Sequence, residues 1–342
     1  MTHPSLIRNG DVFDYLQKAR KGLIPEASKF GHSEIDDYLR FKRGNFIVVT
    51  GHANVGKTHT MLYLMLLHTL NNGTKWLVYS SENDVKSIQR KLIEFLCGKQ
   101  INYIDDVQFA RKYDFVQGHF AFIDPEQLYD VFGLLETMEE IYDEFPFEGV
   151  LIDPYNSLTI NQKRLGKVSS HEYHYEATSH IRVFCKKFNA TLILNTHPAT
   201  EALRKVHFKG HPYEGHPIPP MASDVEGGGK FVNRADEFMV VHRYTQHETD
   251  WIFTDIHIRK VKELETGGRP TPLDQPIRIQ SIKYNVGYII GYKNLITLPE
   301  PKHQEDVPFW SHLQRATYPR EADATWGYPH LVEWLRSICG NP

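Results

Sequence analysis

The stretch "GHANVGKT", residues 51–58, stands between the apolar run "NFIVV" (45–49) and a longer one, "MLYLMLLHTL" (61–70). It fits GxxxxGK[ST] at every position, and its flanks predict a strand before it and a helix after it. In that setting the N–H groups of the loop and first helical turn are placed to cradle phosphate oxygens. Gly51, His52, Ala53, Asn54, Val55, Gly56, Lys57, Thr58 and His59 are therefore the candidate nucleotide-binding residues. Lys57 would neutralise the β and γ oxygens, and the Thr58 hydroxyl would ligate Mg²⁺. The alternative is an ordinary glycine turn before a helix. Such loops serve switches, kinases, transporters and motors alike, so other residues must choose among them.

Outward from the loop, the chain from Gly44 onward repeats strand, loop and helix. Strands are expected at Asn45–Thr50, Trp76–Ser80, His119–Ile123, Gly149–Asp153 and Thr191–Asn195, and helices at Lys57–Leu70, Val85–Leu96, Gln127–Phe145 and Tyr173–Phe188. Apolar strands alternating with helices imply an α/β fold with a mostly parallel central sheet covered on both faces. After Gly229 the pattern turns to strands, at Glu237–Arg243, Trp251–Val261, Ile277–Tyr284 and Tyr288–Tyr292, expected to extend the sheet in antiparallel fashion on its C-terminal side. The Pro- and Gly-rich segment 211–230 reads as a long mobile loop. This divides the chain into an N-terminal appendage (1–43), an ATPase domain (44–300) and a tail (301–342) with short helical candidates at Phe309–Ala316 and Pro329–Ile338. In the appendage, Asn9 caps a short helix with Val12, Phe13, Leu16 and Ala19 on one face, a stripe that needs a partner surface.

Composition narrows the class. Of 342 residues, 41% are hydrophobic and 24% charged, with a net charge of −3, so contact with nucleic acid would rest on local basic patches. Three dispersed cysteines (Cys97, Cys185, Cys339) form no CxxC, which argues against a disulfide framework or zinc ribbon and makes a reducing cytoplasm the expected setting. The longest apolar run is too short to span a bilayer, and the N-terminus carries no export signal, so no membrane association is expected. Nineteen histidines, among them His171 and His174 and the group His207, His211 and His216, show no convincing metal-ligand spacing.

Two carboxylates follow the loop at strand ends. "EGVLIDPYNSL" ends an apolar strand in Asp153, where a carboxylate can hold the Mg²⁺ shell. "WLVYSSEND" places Glu82 just past the strand after the P-loop helix, where it can polarise the water that attacks a γ-phosphate. A helix cap is the other reading of Glu82, since "SENDVKS" opens a helix.

Together, "GHANVGKT", "YSSEN", "LIDPYNSL" and the polar strand end "LILNTHP" resemble the RecA-type P-loop ATPase core, and more narrowly the hexameric replicative DNA helicases of DnaB-like and Twinkle-like type, often found in phages. "GGGKFVNRADEFMVVHR" and "IHIRKVKELETGGRP" are similar to later segments of that family, and the likeness runs over roughly residues 30–290. It implies ATP and Mg²⁺ as cofactors, a ring-shaped homo-hexamer, single-stranded DNA as partner and a separately encoded primase. His197 would sense the γ-phosphate; a buried, satisfied histidine is the alternative. Lys260 and Lys262 match a family Lys-x-Arg pattern that reaches into the neighbouring subunit's site. Here lysine stands where the family has arginine, so Arg259 or Arg269 are competing candidates. The DNA-binding candidates are Lys163, Arg164 and Lys167 after Asp153, and Arg204, Lys205 and Lys209 after His197, with Phe208 able to stack on a base. Each group also reads as a solvated charge run. The function expected is an ATP-driven motor on single-stranded DNA. A RecA-like filament protein that remodels DNA, or a non-motor ATPase switch or loader, are the competing classes.

Overall fold

The computed structural model describes residues 9–296 other than 24–25, 167–168, 227–228, 265–266 and 292. The described residues fall in one compact unit that ends at Ile296, and the tail assigned to 301–342, with both its helical candidates, lies outside them. Their elements are, in chain order, α1 (Asn9–Arg20), α2 (Ser33–Asp36), β1 (Phe46–Thr50), α3 (Lys57–Asn72), β2 (Trp76–Ser80), α4 (Val85–Cys97), α5 (Asp106–His119), β3 (Phe120–Phe122), α6 (Val131–Tyr142), β4 (Gly149–Asp153), α7 (Gln162–Leu165), α8 (Ser170–Phe188), β5 (Thr191–Thr196), α9 (Lys230–Arg234), β6 (Glu237–His242), β7 (Phe253–Val261), β8 (Ile277–Ser281), β9 (Tyr288–Ile290) and β10 (Lys293–Asn294).

The strands form one sheet in the order β10-β9-β8-β7-β6-β1-β5-β4-β2-β3. From β3 to β6 every pairing is parallel, and from β6 onward to β10 every pairing is antiparallel. The antiparallel block thus begins one strand later than expected. β6 is reached through the long connection after β5 and through α9, a crossover that returns the chain in the same direction, whereas β7 to β10 follow by direct reversals.

Strand alternation divides the core between the two faces of the sheet. Ile47 and Val49 of β1, with Trp76 and Val78 of β2, pack under α3 and α4, while Phe46, Val48, Leu77 and Tyr79 pack against α6 and α8. α3 is buried around its whole circumference from Thr60 to Thr69, because it lies between the sheet, α4 and the N-terminal segment. At the β2–β4 pairing Gly149 lies opposite Trp76, and an added Cβ there would stand 2.2 Å from the indole, so glycine is what lets the ring lie flat on the neighbouring strand.

The helix ends follow local chemistry. Asp130 caps α6 through bonds from the N–H groups of Phe132 and Gly133, which starts it four residues later than its apolar pattern alone implies. A capping box of Ser169 and Glu172 starts α8, and left-handed Asn189 ends it. α5 was not expected: only Ala110 and Val116 of its fourteen residues are buried, so its apolar stripe is faint, although Asp105 caps it visibly through the Gln108 N–H. β8 stops at Ser281 because the chain turns through positive φ at Tyr284 and Asn285.

Two segments differ from their sequence reading. Within the segment assigned to the appendage, Ala27, Phe30, Ile35, Leu39 and Phe41 are buried, and Ser28 pairs with Phe41. On α1, by contrast, Val12, Phe13 and Leu16 are exposed. The segment expected to be a long mobile loop is pinned: Tyr213 stacks on Tyr244 at 3.7 Å and its hydroxyl donates to Asp250, while Arg278 donates to Tyr213 and pairs with Asp255. Aromatic and ionic side chains inside a Pro- and Gly-rich stretch supply the order that its turn residues do not signal.

Burial holds several histidines neutral. His59 and His68 are pushed down to about 4, and His242 and His257 to about 3. An unfolded chain protonates these groups near the ordinary value of about 6.5, so the stability they contribute is full above that pH and is lost as pH falls toward 4. Glu237, pushed up to about 7 by burial, works in the opposite direction between its ordinary value and 7, and offsets about one histidine. Urea denaturation at pH 7 and pH 5 should show a net loss of roughly 3–5 kcal/mol at the lower pH. A flat profile would mean that these imidazoles are not buried as described.

Candidate active site

Because β1, β2, β4 and β5 are parallel neighbours, their C-terminal ends share one edge of the sheet, and the polar residues expected from the sequence meet there. The P-loop turns through Asn54 and Gly56, both at positive φ, and α3 starts at Gly56 with no side-chain cap on its first N–H groups. That is the uncapped helix N-terminus an anion needs. Gly51 is fixed by contact: an added Cβ would stand 2.2 Å from the Val241 carbonyl oxygen of β6.

Lys57 is buried, and its ammonium donates to the carbonyls of Gly51 at 2.8 Å and His52 at 3.1 Å and to His197 Nδ1 at 3.4 Å. Burial holds its pKa down to about 8, against the opposing pull of Asp153 and Glu82. An ammonium can only donate, so Nδ1 of His197 is the acceptor and, in the neutral ring, the proton sits on Nε2. Nε2 lies 3.1 Å from Glu82 Oε1, so this tautomer aims its N–H at the carboxylate. Glu82 itself is exposed at the end of β2 and takes no part in capping α4, whose cap is Asp84.

Asp153 is buried at the end of β4. Thr58 Oγ1 donates to its Oδ2 at 2.7 Å, Ser80 donates to the same oxygen at 3.4 Å, and Asn195 Nδ2 donates to Oδ1 at 2.7 Å. Burial raises its pKa, while Asn195, Thr58 and Lys57 oppose that. The hydroxyl of Thr58 beside a carboxylate is an all-oxygen donor set that fits a hard cation such as Mg²⁺, and Asn195 Oδ1 is a further buried oxygen with no partner among the described residues.

The remaining candidates are distributed as follows. Ala53 and Asn54 are exposed at the loop tip and Val55 is buried; His52 Nε2 lies 3.2 Å from the Ile218 carbonyl. His59 turns away from the loop, its ring packed edge-on against Phe95 of α4. Lys260 donates to the carbonyls of Val232, Asn233 and Ala235 at the end of α9, Lys262 pairs with Asp236 at 3.1 Å, Arg259 lies 3.1 Å from His257 Nδ1, and Arg269 covers the Tyr38 ring. β7 pairs Lys260 with Phe238, which in turn pairs with Val48, so Lys260 and Lys262 lie toward the start of β1, away from the P-loop of their own chain. Among the basic candidates, Lys163, Arg204 and Lys209 are exposed, as is Phe208. Arg164 is committed to Glu176 and to the Phe132 ring, and Lys205 is paired with Asp224. Lys167 lies outside the described residues.

The sequence reading missed Ser80, Asn156, Asn195 and Glu226. Asn195 stood in the quoted "LILNTHP" and Asn156 in "LIDPYNSL", so their strand-end positions were the available signal; Glu226 is brought in only by the folded path of residues 198–226.

No protein-family model matches the chain. In fold it is similar to a solved ATPase domain, with a TM-score of 0.65 and 14% identity over 84% of this chain and 99% of that one. The likeness is one of fold, an α/β domain built on a single mostly parallel sheet. A second solved structure, a DnaB-like replicative helicase described with its interactions with primase, gives a TM-score of 0.63 and 13% identity, covering 83% of this chain and 67% of that one. In sequence the chain is 24% identical over 249 residues to the Twinkle homolog protein, chloroplastic/mitochondrial, of Arabidopsis thaliana. That match takes in 69% of this chain but spans only 33% of the relative. Among the described residues no helix is long and apolar enough to cross a membrane.

The depressed Lys57 pKa makes affinity for a triphosphate depend on pH. Free protein loses the Lys57 proton above about 8, whereas a bound triphosphate restores it, so binding above that pH must take up a proton. Titration with a fluorescent ATP analogue should show affinity falling by up to about tenfold per pH unit between pH 8 and 9.5. An affinity constant over that range would overturn this assignment of Lys57.

Proposed function

We propose that this chain is an ATP-driven motor on single-stranded DNA, the ATPase core of a replicative helicase of DnaB-like or Twinkle-like type. The observation that carries the proposal is the convergence of Lys57, Thr58, Glu82, Asp153 and His197 on one sheet edge, at the end of an uncapped P-loop helix. The similarity to helicase ATPase domains supports it.

In this role the P-loop N–H groups and Lys57 bind the triphosphate. Thr58 and Asp153 hold Mg²⁺, which when bound neutralises charge on the phosphate oxygens. Glu82 accepts the proton of the attacking water, and His197, between Lys57 and Glu82, holds that carboxylate and registers what stands at the γ position. Lys262, with Lys260 holding the end of its strand, serves the site of a neighbouring subunit, because it lies far from its own P-loop. Hydrolysis sites then form at subunit interfaces of a hexameric ring, and the exposed apolar face of α1 straps onto the next subunit. Lys163, Arg204 and Lys209 carry the phosphate contacts on the ring axis; the pairing of Arg164 and Lys205 leaves them to order their loops.

Two measurements test this. Replacing Glu82 by Gln should lower kcat about 100-fold or more, as loss of a general base does, while an ATP analogue still binds. Unchanged turnover would remove Glu82 from the chemistry. ATP hydrolysis should rise with single-stranded DNA at low salt and lose that stimulation at about 200 mM salt, and alanine at Lys163, Arg204 or Lys209 should each reduce the salt slope of DNA binding by about 1. A rate indifferent to DNA would point to a switch or loader.

A further inference from the structure

The helical turn Tyr155–Ser157, just past Asp153, is bonded to His197, Glu226 and Ser81. Asn156 Oδ1 accepts the backbone N–H of His197 at 2.8 Å, and Asn156 Nδ2 donates to Glu226 at 2.5 Å. Glu226 closes the triangle through its own N–H, which donates to the His197 carbonyl at 3.1 Å. On the other side of the turn, Ser157 accepts a bond at 2.5 Å from Ser81, the residue before Glu82.

These bonds make a continuous path. It starts at Lys57 and Glu82 on the two nitrogens of His197, passes through the His197 backbone to Asn156, and ends at Glu226. Asn156 begins the connection that carries Lys163, and Glu226 ends the one that carries Arg204 and Lys209. The turn is backed by a cleft of about 260 Å³ lined by Tyr155, Thr159, Tyr173 and His174, so it is not packed solid on that side. A side-chain amide suits such a junction, because one end accepts and the other donates.

We propose that Asn156 is the positioning residue that couples the γ-phosphate end of the site to the two basic loops: when His197 shifts, Asn156 transmits the displacement to Glu226 and to its own loop together. This rests on the DNA-stimulated ATPase activity proposed above. Asn156 touches no reacting atom and acts through His197 and Glu226.

The test reverses the polarity of the Asn156–Glu226 bond. Asn156→Asp keeps the acceptor for the His197 N–H but sets a carboxylate against Glu226. Adding Glu226→Gln restores a donor and acceptor in the opposite sense. The readouts are the ratio of turnover with and without single-stranded DNA and the DNA affinity measured without nucleotide. N156D should lower the ratio by about fivefold or more, the lower end of ordinary coupling between sites, with nucleotide-free DNA affinity unchanged. N156D/E226Q should recover it. E226A, at an exposed position, should lower the ratio as N156D does and serves if N156D fails to fold. If the unmodified protein is stimulated by DNA and N156D keeps the full ratio, or the double variant fails to recover it, Asn156 is not the coupler and the motor function stands. If the unmodified protein is not stimulated at all, the motor function falls and the coupling with it.

Discussion

A carboxylate sunk into a protein must be surrounded by donors or it will take up a proton, and Asp153 satisfies that requirement from three directions. Thr58 comes from the P-loop helix, Ser80 from β2 and Asn195 from β5. Those bonds set the positions of three strand ends and of α3 relative to one another, so the carboxylate organises the edge around itself. The same edge exists only because β1, β2, β4 and β5 run in one direction; a single reversed strand would carry its polar terminus to the far side of the sheet.

Around that fixed point the site separates into a stiff half and an adjustable half. Lys57 has all three ammonium protons engaged, two of them by carbonyls of its own loop. Glu82 and His197 are held to each other by a side-chain bond at the ends of β2 and β5, and beyond His197 the chain leaves the sheet for the connection that carries Arg204 and Lys209. His197, tied to Lys57 and Glu82 through its ring and to Asn156 and Glu226 through its backbone, is the group through which the adjustable half meets the two loops.

Much of this was legible in the sequence, and for physical reasons. The P-loop has a fixed spacing because backbone groups do the work, and strands buried on both faces announce themselves as apolar runs, so β1, β2, β4 and β5 and the strand-end places of Glu82 and Asp153 followed directly, while His197 was singled out through the family resemblance. α5 did not, because a helix that buries two side chains writes almost no periodicity. The direction of β6 did not, since strand polarity is set by the path of the connection and not by the residues of the strand. Glu226 was invisible for a related reason: its neighbour His197 lies well before it in the chain, and the two meet through the pairing of Pro198 with Val225 and the bond from the Ala199 N–H to the Asp224 carbonyl. Charge counting could not show that Arg164 and Lys205 are paired with Glu176 and Asp224.

The burial of α3 on every side has a mechanical consequence. A helix wedged among the sheet, α4 and the N-terminal segment cannot tilt or slide without opening cavities on several fronts at once, each costing on the order of 1 kcal/mol or more. The phosphate end of the site thus rests against an anvil. In the proposed motor, work released there would pass into the strand ends opposite and not into recoil of the helix beneath it, which makes α3 the stationary frame of the site.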